Sequence, residues 1–197
     1  MFYLLTKKGR LSRQRARDLY NQIVRQSRSS IFYEGYEVPD TLEGRFEMIC
    51  LFGGLLVTRL CRPDMGNEGR VLAQAFFDTM FINLDWSIRE MGVGDLGVPR
   101  RVKAMMASFK GRAFAYDESL RVGQGEVRHV LSRNLYATAP HLSPEVLQVM
   151  SAYVMDCASG LNNQGLSDFW QGRVSFPDIE KSLKGNYQGT TNVSQAA

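Results

Sequence analysis

The sequence predicts an all-α fold, a single compact multi-helix domain with short loops. Apolar residues recur at three- and four-residue spacing along nearly the whole chain. Helix-boundary residues punctuate that pattern, with Pro39, Pro99 and Pro144 near helix starts and Gly92 after a helix end. The 197 residues are 44% apolar and 22% charged, close to the globular average. A chain of that length buries about 70% of its unfolded surface, enough for a core without metals or disulfides.

The elements follow in order. Leu19, Tyr20, Ile23 and Val24 lie at helical spacing in a segment from about Ser12 to Gln26. Ile31 to Val38 reads as an aromatic connector. Asp40-Thr41-Leu42-Glu43 resembles a capping box, with Asp40 as the N-cap and Glu43 reaching back. The helix that follows carries Phe46, Ile49, Cys50, Gly53, Leu56, Val57 and Leu60 around most of its circumference, which marks it as the central, most buried helix. Gly53-Gly54 weakens it but lets another backbone come close.

Arg62 to Asn67 is a turn. The next helix, near Glu68 to Met91, presents Phe77, Phe81, Leu84, Ile88 and Met91 as a core-facing stripe, and Asp85 and Arg89 form an i,i+4 pair. Gly92 reads as its C′ residue. Pro99 opens a helix that reaches about Leu120 through Val102, Met105, Met106, Phe109, Ala113 and Tyr116. A break at Val122–Gly125 precedes a shorter helix, Glu126 to Tyr136. Ser143-Pro144-Glu145 starts another, carried to about Gly160 by Val146, Leu147, Met150, Tyr153, Val154 and Cys157. Leu166, Phe169 and Trp170 suggest one more turn. From Gly185 the chain is uncharged and polar, and disorder is expected. The expected organisation is a basic N-terminal segment over 1–15, an all-α domain over 16–176 and a flexible tail over 177–197.

Composition limits the function classes. The uncharged run Met48–Thr58 is too short for a bilayer, which needs about 20 residues. Met1–Leu5 is too short an apolar stretch before Lys7 and Lys8 for a secretory signal. Three cysteines, an odd number, point to a reducing compartment, and all three are expected as free, buried thiols. The net charge of +4 is uneven. Met1 to Arg17 holds Lys7, Lys8, Arg10, Arg13, Arg15 and Arg17 and no acid, and a second basic stretch runs from Arg100 to Arg112. Nucleic acid, anionic lipid or an acidic protein face could each answer such patches, as could plain solvent. The first stretch has the composition of a transit peptide, but it runs directly into the first helix, so no leader is expected.

No catalytic constellation emerges. Gly92-Val93-Gly94-Asp95-Leu96-Gly97 matches G-x-G-x-x-G, with Asp117 and Glu118 about 20 residues on. A dinucleotide site needs those glycines between a strand and a helix, whereas here a helix precedes them. Glu126-Val127-Arg128-His129 is a Glu-x-x-His, but di-metal bundles need two such motifs and two more glutamates. His141 has no glutamate three residues before it, and Asp78 and Asp85 fit a polar surface better than a metal. Gly-x-Ser-x-Gly, His-Glu-x-x-His and the P-loop are absent. No cofactor or metal is expected. The basic and aromatic face of Arg100, Arg101, Lys103, Lys110 and Arg112 reads as a docking surface.

Longer words go further. Asp78-Thr79-Met80-Phe81-Ile82-Asn83-Leu84-Asp85, Ile88-Arg89-Glu90-Met91-Gly92-Val93-Gly94-Asp95-Leu96-Gly97-Val98-Pro99-Arg100-Arg101-Val102-Lys103, Phe109-Lys110-Gly111-Arg112 and Ala115-Tyr116 resemble the ubiquinol–cytochrome c chaperone family. So do Tyr33 to Glu47 and Ala75-Phe76-Phe77-Asp78. The resemblance spans roughly Ala16 to Val174 and is most specific over Arg89–Tyr116. It implies a non-enzymatic assembly factor for the cytochrome bc1 complex that holds newly made cytochrome b or another bc1 subunit. A small partner protein, the ribosome exit and the inner membrane are the further partners it implies. Without the long N-terminal extension of the mitochondrial members, the chain looks like an α-proteobacterial relative, in the cytoplasm and peripheral to the inner membrane. By the same analogy Arg89, Asp95, Arg100, Arg101, Lys103, Lys110, Arg112 and Tyr116 would form a contact surface, the alternative being a corner packed for stability. Met105, Met106, Met150 and Met155 suit an adaptable apolar groove or ordinary core. Ribosome or RNA binding through the basic stretches is the alternative function, and a nucleotide or metal enzyme a third.

Overall fold

A computed structural model describes residues 7–92 and 97–179. Its helices are α1 (Lys7–Ser27), α2 (Ser30–Glu34), α3 (Leu42–Leu60), α4 (Gly66–Glu90), α5 (Val98–Val122), α6 (Gln124–Arg133), α7 (Pro144–Asn162) and α8 (Leu166–Trp170), with a 3₁₀ turn at Pro63–Met65. No strand occurs among the described residues. The segment expected to be disordered, from Gly185, lies outside them, as do Val93–Leu96.

α3 is the hub and packs against α1, α4, α5 and α7. Every residue from Met48 to Leu56 is buried, as expected for a helix that is apolar all round. Gly53 and Gly54 set the distance to α5. A Cβ on Gly54 would lie 3.2 Å from Ala113 Cα, and one on Gly53 3.3 Å from the Phe109 ring. Aromatic rings fill the two ends of the core. Phe52 meets Phe32, Tyr153 and Phe176 at 5.7, 6.4 and 4.9 Å, while Phe109 meets Phe77 and Phe81 at 5.8 and 6.0 Å.

Some local readings are corrected. α1 begins at Lys7, so the basic segment is already helical there. The aromatic connector contains α2. The N-cap of α3 is Thr41, whose extended backbone lets Oγ1 accept from Gly44 N at 3.1 Å, while Asp40 instead pairs with Arg45 at 2.6 Å. Met91 is 50% exposed because α4 ends at Glu90 and the chain turns away there. Gly92 does take a positive φ, 79°, as a C′ residue should. Cys50 and Cys157 are buried, but Cys61 is exposed at the C-cap of α3.

Long-range polar contacts fix the helix ends. The buried Arg59 guanidinium donates to the carbonyls of Leu161 (2.9 Å) and Gln164 (3.1 Å) and to both Asp64 oxygens (2.9 and 2.7 Å). It thereby satisfies carbonyls that α7 leaves open at its C-terminus. At the other end of α7 the Glu37 carboxylate accepts from Ser143 N and Ser143 Oγ. Those bonds hold the Glu37 pKa below its ordinary value. Residues 171–179 form a strap over α1 and α7. Gln22 Nε2 donates to Gly172 O, Val174 N donates to Gln22 Oε1 at 3.2 Å, and Tyr153 OH donates to Pro177 O at 3.0 Å.

Candidate functional site

The core stripe of α4 is formed by Phe77, Phe81, Leu84 and Ile88, which are buried or half-buried. A second row, Ala75, Asp78, Ile82 and Trp86, runs along another side of the same helix at spacings of three and four. That row faces a groove of about 750 Å³ shared with Ser12 and Arg13 of α1 and Val102 and Met106 of α5. Ile82 is 59% exposed and Trp86 64% exposed, unusual for residues this apolar. The sequence reading did not single them out. Their signal was available: two large apolar residues four apart, off the core stripe.

Charges line the groove. Asp85 accepts from Arg89 Nε at 2.7 Å, and Asp78 accepts from Gln74 Nε2 at 2.7 Å. Arg13 brings the N-terminal basic stretch to the same groove as the start of α5. Lys103 and Lys110 sit three residues before and four after Met106, hence on its side of α5. Lys110 Nζ lies 5.3 Å from the Phe77 ring centroid, a cation–π distance. Phe114, 69% exposed, is one turn further along the row Val102–Met106–Lys110–Phe114.

The contact residues expected from sequence divide into three groups. Arg89, Arg100, Arg101 and Lys103 are exposed near the α4–α5 corner, and Lys110 is exposed further along α5. Asp95 lies outside the described residues. Arg112 is half-buried and Tyr116 is interior. Arg112 Nε donates to Glu47 Oε1 at 2.6 Å across the α3–α5 contact. Tyr116 is 0% exposed, and burial pushes its phenol pKa well up. Both sit at the contact of α5 with α3, where Arg112 is turned inward to Glu47 and Tyr116 is fully covered.

The chemical alternatives find little support. Gly92–Gly97 links α4 to α5, with no strand before it, and Val93–Leu96 are outside the described residues. Asp117, placed where a ribose-binding acid would be, pairs with Arg62 at 2.7 Å and also with Arg121. Those groups line a cleft of about 260 Å³ between α3, α5 and α7 whose walls are polar and apolar in equal part. Glu126 and His129 are exposed on α6, and among the described residues no group of three or more His, Cys, Asp or Glu could hold a metal. Burial raises the pKa of the Cys50, Cys61 and Cys157 thiols, the opposite of nucleophile activation. Among the described residues no helix is long and apolar enough to cross a membrane.

Comparison with known proteins agrees with this architecture. The crystal structure of the Cbp3 homolog from Brucella abortus is similar, with a TM-score of 0.77 and 30% identity over 91% of this chain and 98% of that one. Among curated proteins, none matches. The family model described as ubiquinol-cytochrome C chaperone matches residues 34–176, a span that includes the exposed row of α4 and the whole of α5. The chain is therefore a member of the ubiquinol–cytochrome c chaperone family.

Proposed function

We propose that the chain is a non-enzymatic assembly factor for the cytochrome bc1 complex, and that it holds an apolar segment of newly made cytochrome b in the groove between α1, α4 and α5. Family membership supplies the assembly role. The observation that carries the binding mode is the exposure of Ile82 and Trp86 beside Val102 and Met106. Large apolar side chains exposed side by side, unlike single scattered ones, mark a surface that a partner covers. The work takes place on the cytoplasmic side of the inner membrane. Deleting the gene and recording cytochrome b spectra tests the assembly role, with loss of bc1 content expected. Normal content in the deletion strain defeats it.

Ribosome or RNA binding is the second reading. It is favoured by the exposed cations of α5, Arg100, Arg101, Lys103 and Lys110. Its affinity would fall steeply with salt. Absence of co-sedimentation with ribosomes at low salt removes it.

A further inference from the structure

We propose that the strap, residues 171–179, is an internal stand-in for a ligand. The channel that holds it is a binding site for an extended apolar segment of another polypeptide, which displaces the strap. This site is separate from the client groove, since none of the side chains that grip the strap lines that groove.

The strap is gripped as a bound peptide is gripped. From Arg173 to Asp178 its backbone belongs to no helix, and burial alternates, with Gly172 and Val174 covered and Arg173 and Ser175 exposed. Side chains meet its main-chain groups. The Gln22 amide takes Gly172 O and Val174 N, and the Gln164 amide takes Ser175 O at 2.8 Å and Ser175 N at 2.9 Å. Tyr153 OH donates to Pro177 O. A carboxamide can donate to and accept from the backbone whatever side chain that backbone carries, so this grip reads extended chain rather than sequence. Selectivity comes from what lies beneath. Val174 and Ile179 are buried, and Phe176 meets the Phe52 ring at 4.9 Å.

A fixed piece of core is sealed, and the strap is not. Phe176 and Pro177 are half-buried and are bordered by clefts of about 650 and 430 Å³. The bonds between Gln164 and Ser175 are exposed to solvent, a kind that opens at low free energy. A competing segment with a β-branched residue and an aromatic two positions further on finds the same amides and the same pockets.

The test uses the full chain and a fluorescein-labelled peptide with the sequence of residues 171–179, with anisotropy reading the affinity. In the parent the tethered strap competes at an effective concentration of about millimolar, so little binding is expected. Phe176→Ala loosens the tethered copy, and peptide affinity should rise at least about tenfold. Adding Gln164→Ala should reverse much of that gain, and a peptide carrying Val174→Ser and Phe176→Ser should not bind. Circular dichroism confirms that each variant is folded. Hydrogen exchange of the parent decides the matter even where Phe176→Ala does not fold, because the Val174 and Ser175 amides should exchange well before those of α3. Exchange as slow as that of α3 overturns the proposal, as does a folded Phe176→Ala chain that ignores the peptide. A Phe176→Ala dimer with exchanged straps overturns it too, because the channel then belongs to a second copy. Each of those outcomes leaves the cytochrome b spectra of the deletion strain as a separate readout of the assembly role.

Discussion

Arg112 of α5 and Glu47 of α3 form a close ion pair, Nε to Oε1 at 2.6 Å, in the contact between the two helices. Glu47 is buried, and its neighbours Cys50 and Tyr116 are buried as well. Removing one partner strands the other charge in an apolar setting. Arg112→Leu is expected to cost about 3 kcal/mol, and Glu47→Gln added to it should recover much of that loss. Denaturant melts of the single and double variants measure the coupling. Equal stability of the single variant and the parent would show that the pair is replaceable by solvent.

Arg59 should be as sensitive to geometry as to charge. Its guanidinium reaches Leu161 O, Gln164 O and Asp64 together. A lysine ammonium cannot span that fork. Arg59→Lys is expected to lose most of what Arg59→Ala loses, on the order of 3 kcal/mol. Full retention of stability in Arg59→Lys would mean that charge alone anchors α7.

Gly54 is a packing requirement. With Ala113 Cα already at 3.2 Å from a modest Cβ, a larger side chain has to separate α3 from α5. Gly54→Leu should destabilise by at least about 1–3 kcal/mol, despite the better helix propensity of leucine. Thermal melting decides it, and an unchanged midpoint would show that the two helices can part at little cost.

Acid should loosen the fold through specific carboxylates. Ser143 lowers the Glu37 pKa, Arg59 lowers that of Asp64, and Arg45 that of Asp40. A carboxyl whose folded pKa lies below its unfolded value stabilises the fold above the unfolded pKa. That stability disappears as pH falls through the folded pKa. Melting temperature is expected to hold steady from neutral pH to about 5 and then drop below about 4. The drop should be smaller in Glu37→Gln, and an identical drop would remove Glu37 from the set.

Trp86 separates binding from folding. Because it is mostly exposed, Trp86→Ser should alter the melting temperature little, while client yield falls. Immunoblots of cytochrome b in a complemented deletion strain provide the measure. Wild-type yield with Trp86→Ser/Ile82→Ser would rule out the groove as the grip.

The helices were legible because burial follows helical period. Phe77, Phe81 and Ile88 repeat on the face that the core occupies, and any 3.6-residue reading finds them. The Gly53-Gly54 approach was legible for a similar local reason. Arg112 was not, because its partner is 65 residues away and nothing near it in sequence distinguishes an inward arginine from an outward one. Tyr116 was legible as part of the apolar period with Phe109, although the resemblance pointed to it as a surface contact. The capping error at Asp40 and Thr41 came from two good N-cap residues side by side, where backbone conformation decides. Ile82 and Trp86 were overlooked because a second apolar row on a helix looks like surplus core until the packing shows that nothing covers it.

The strap over α1 carries a consequence for biosynthesis. Gln22 is joined to Gly172 and Val174, partners separated from it by 150 and 152 residues. Those residues are made about 150 residues after Gln22, so the first helix emerges long before these neighbours exist. Native closure of that flank must await Val174, and until then the emerging chain keeps one side of its interior open to solvent and to proteases.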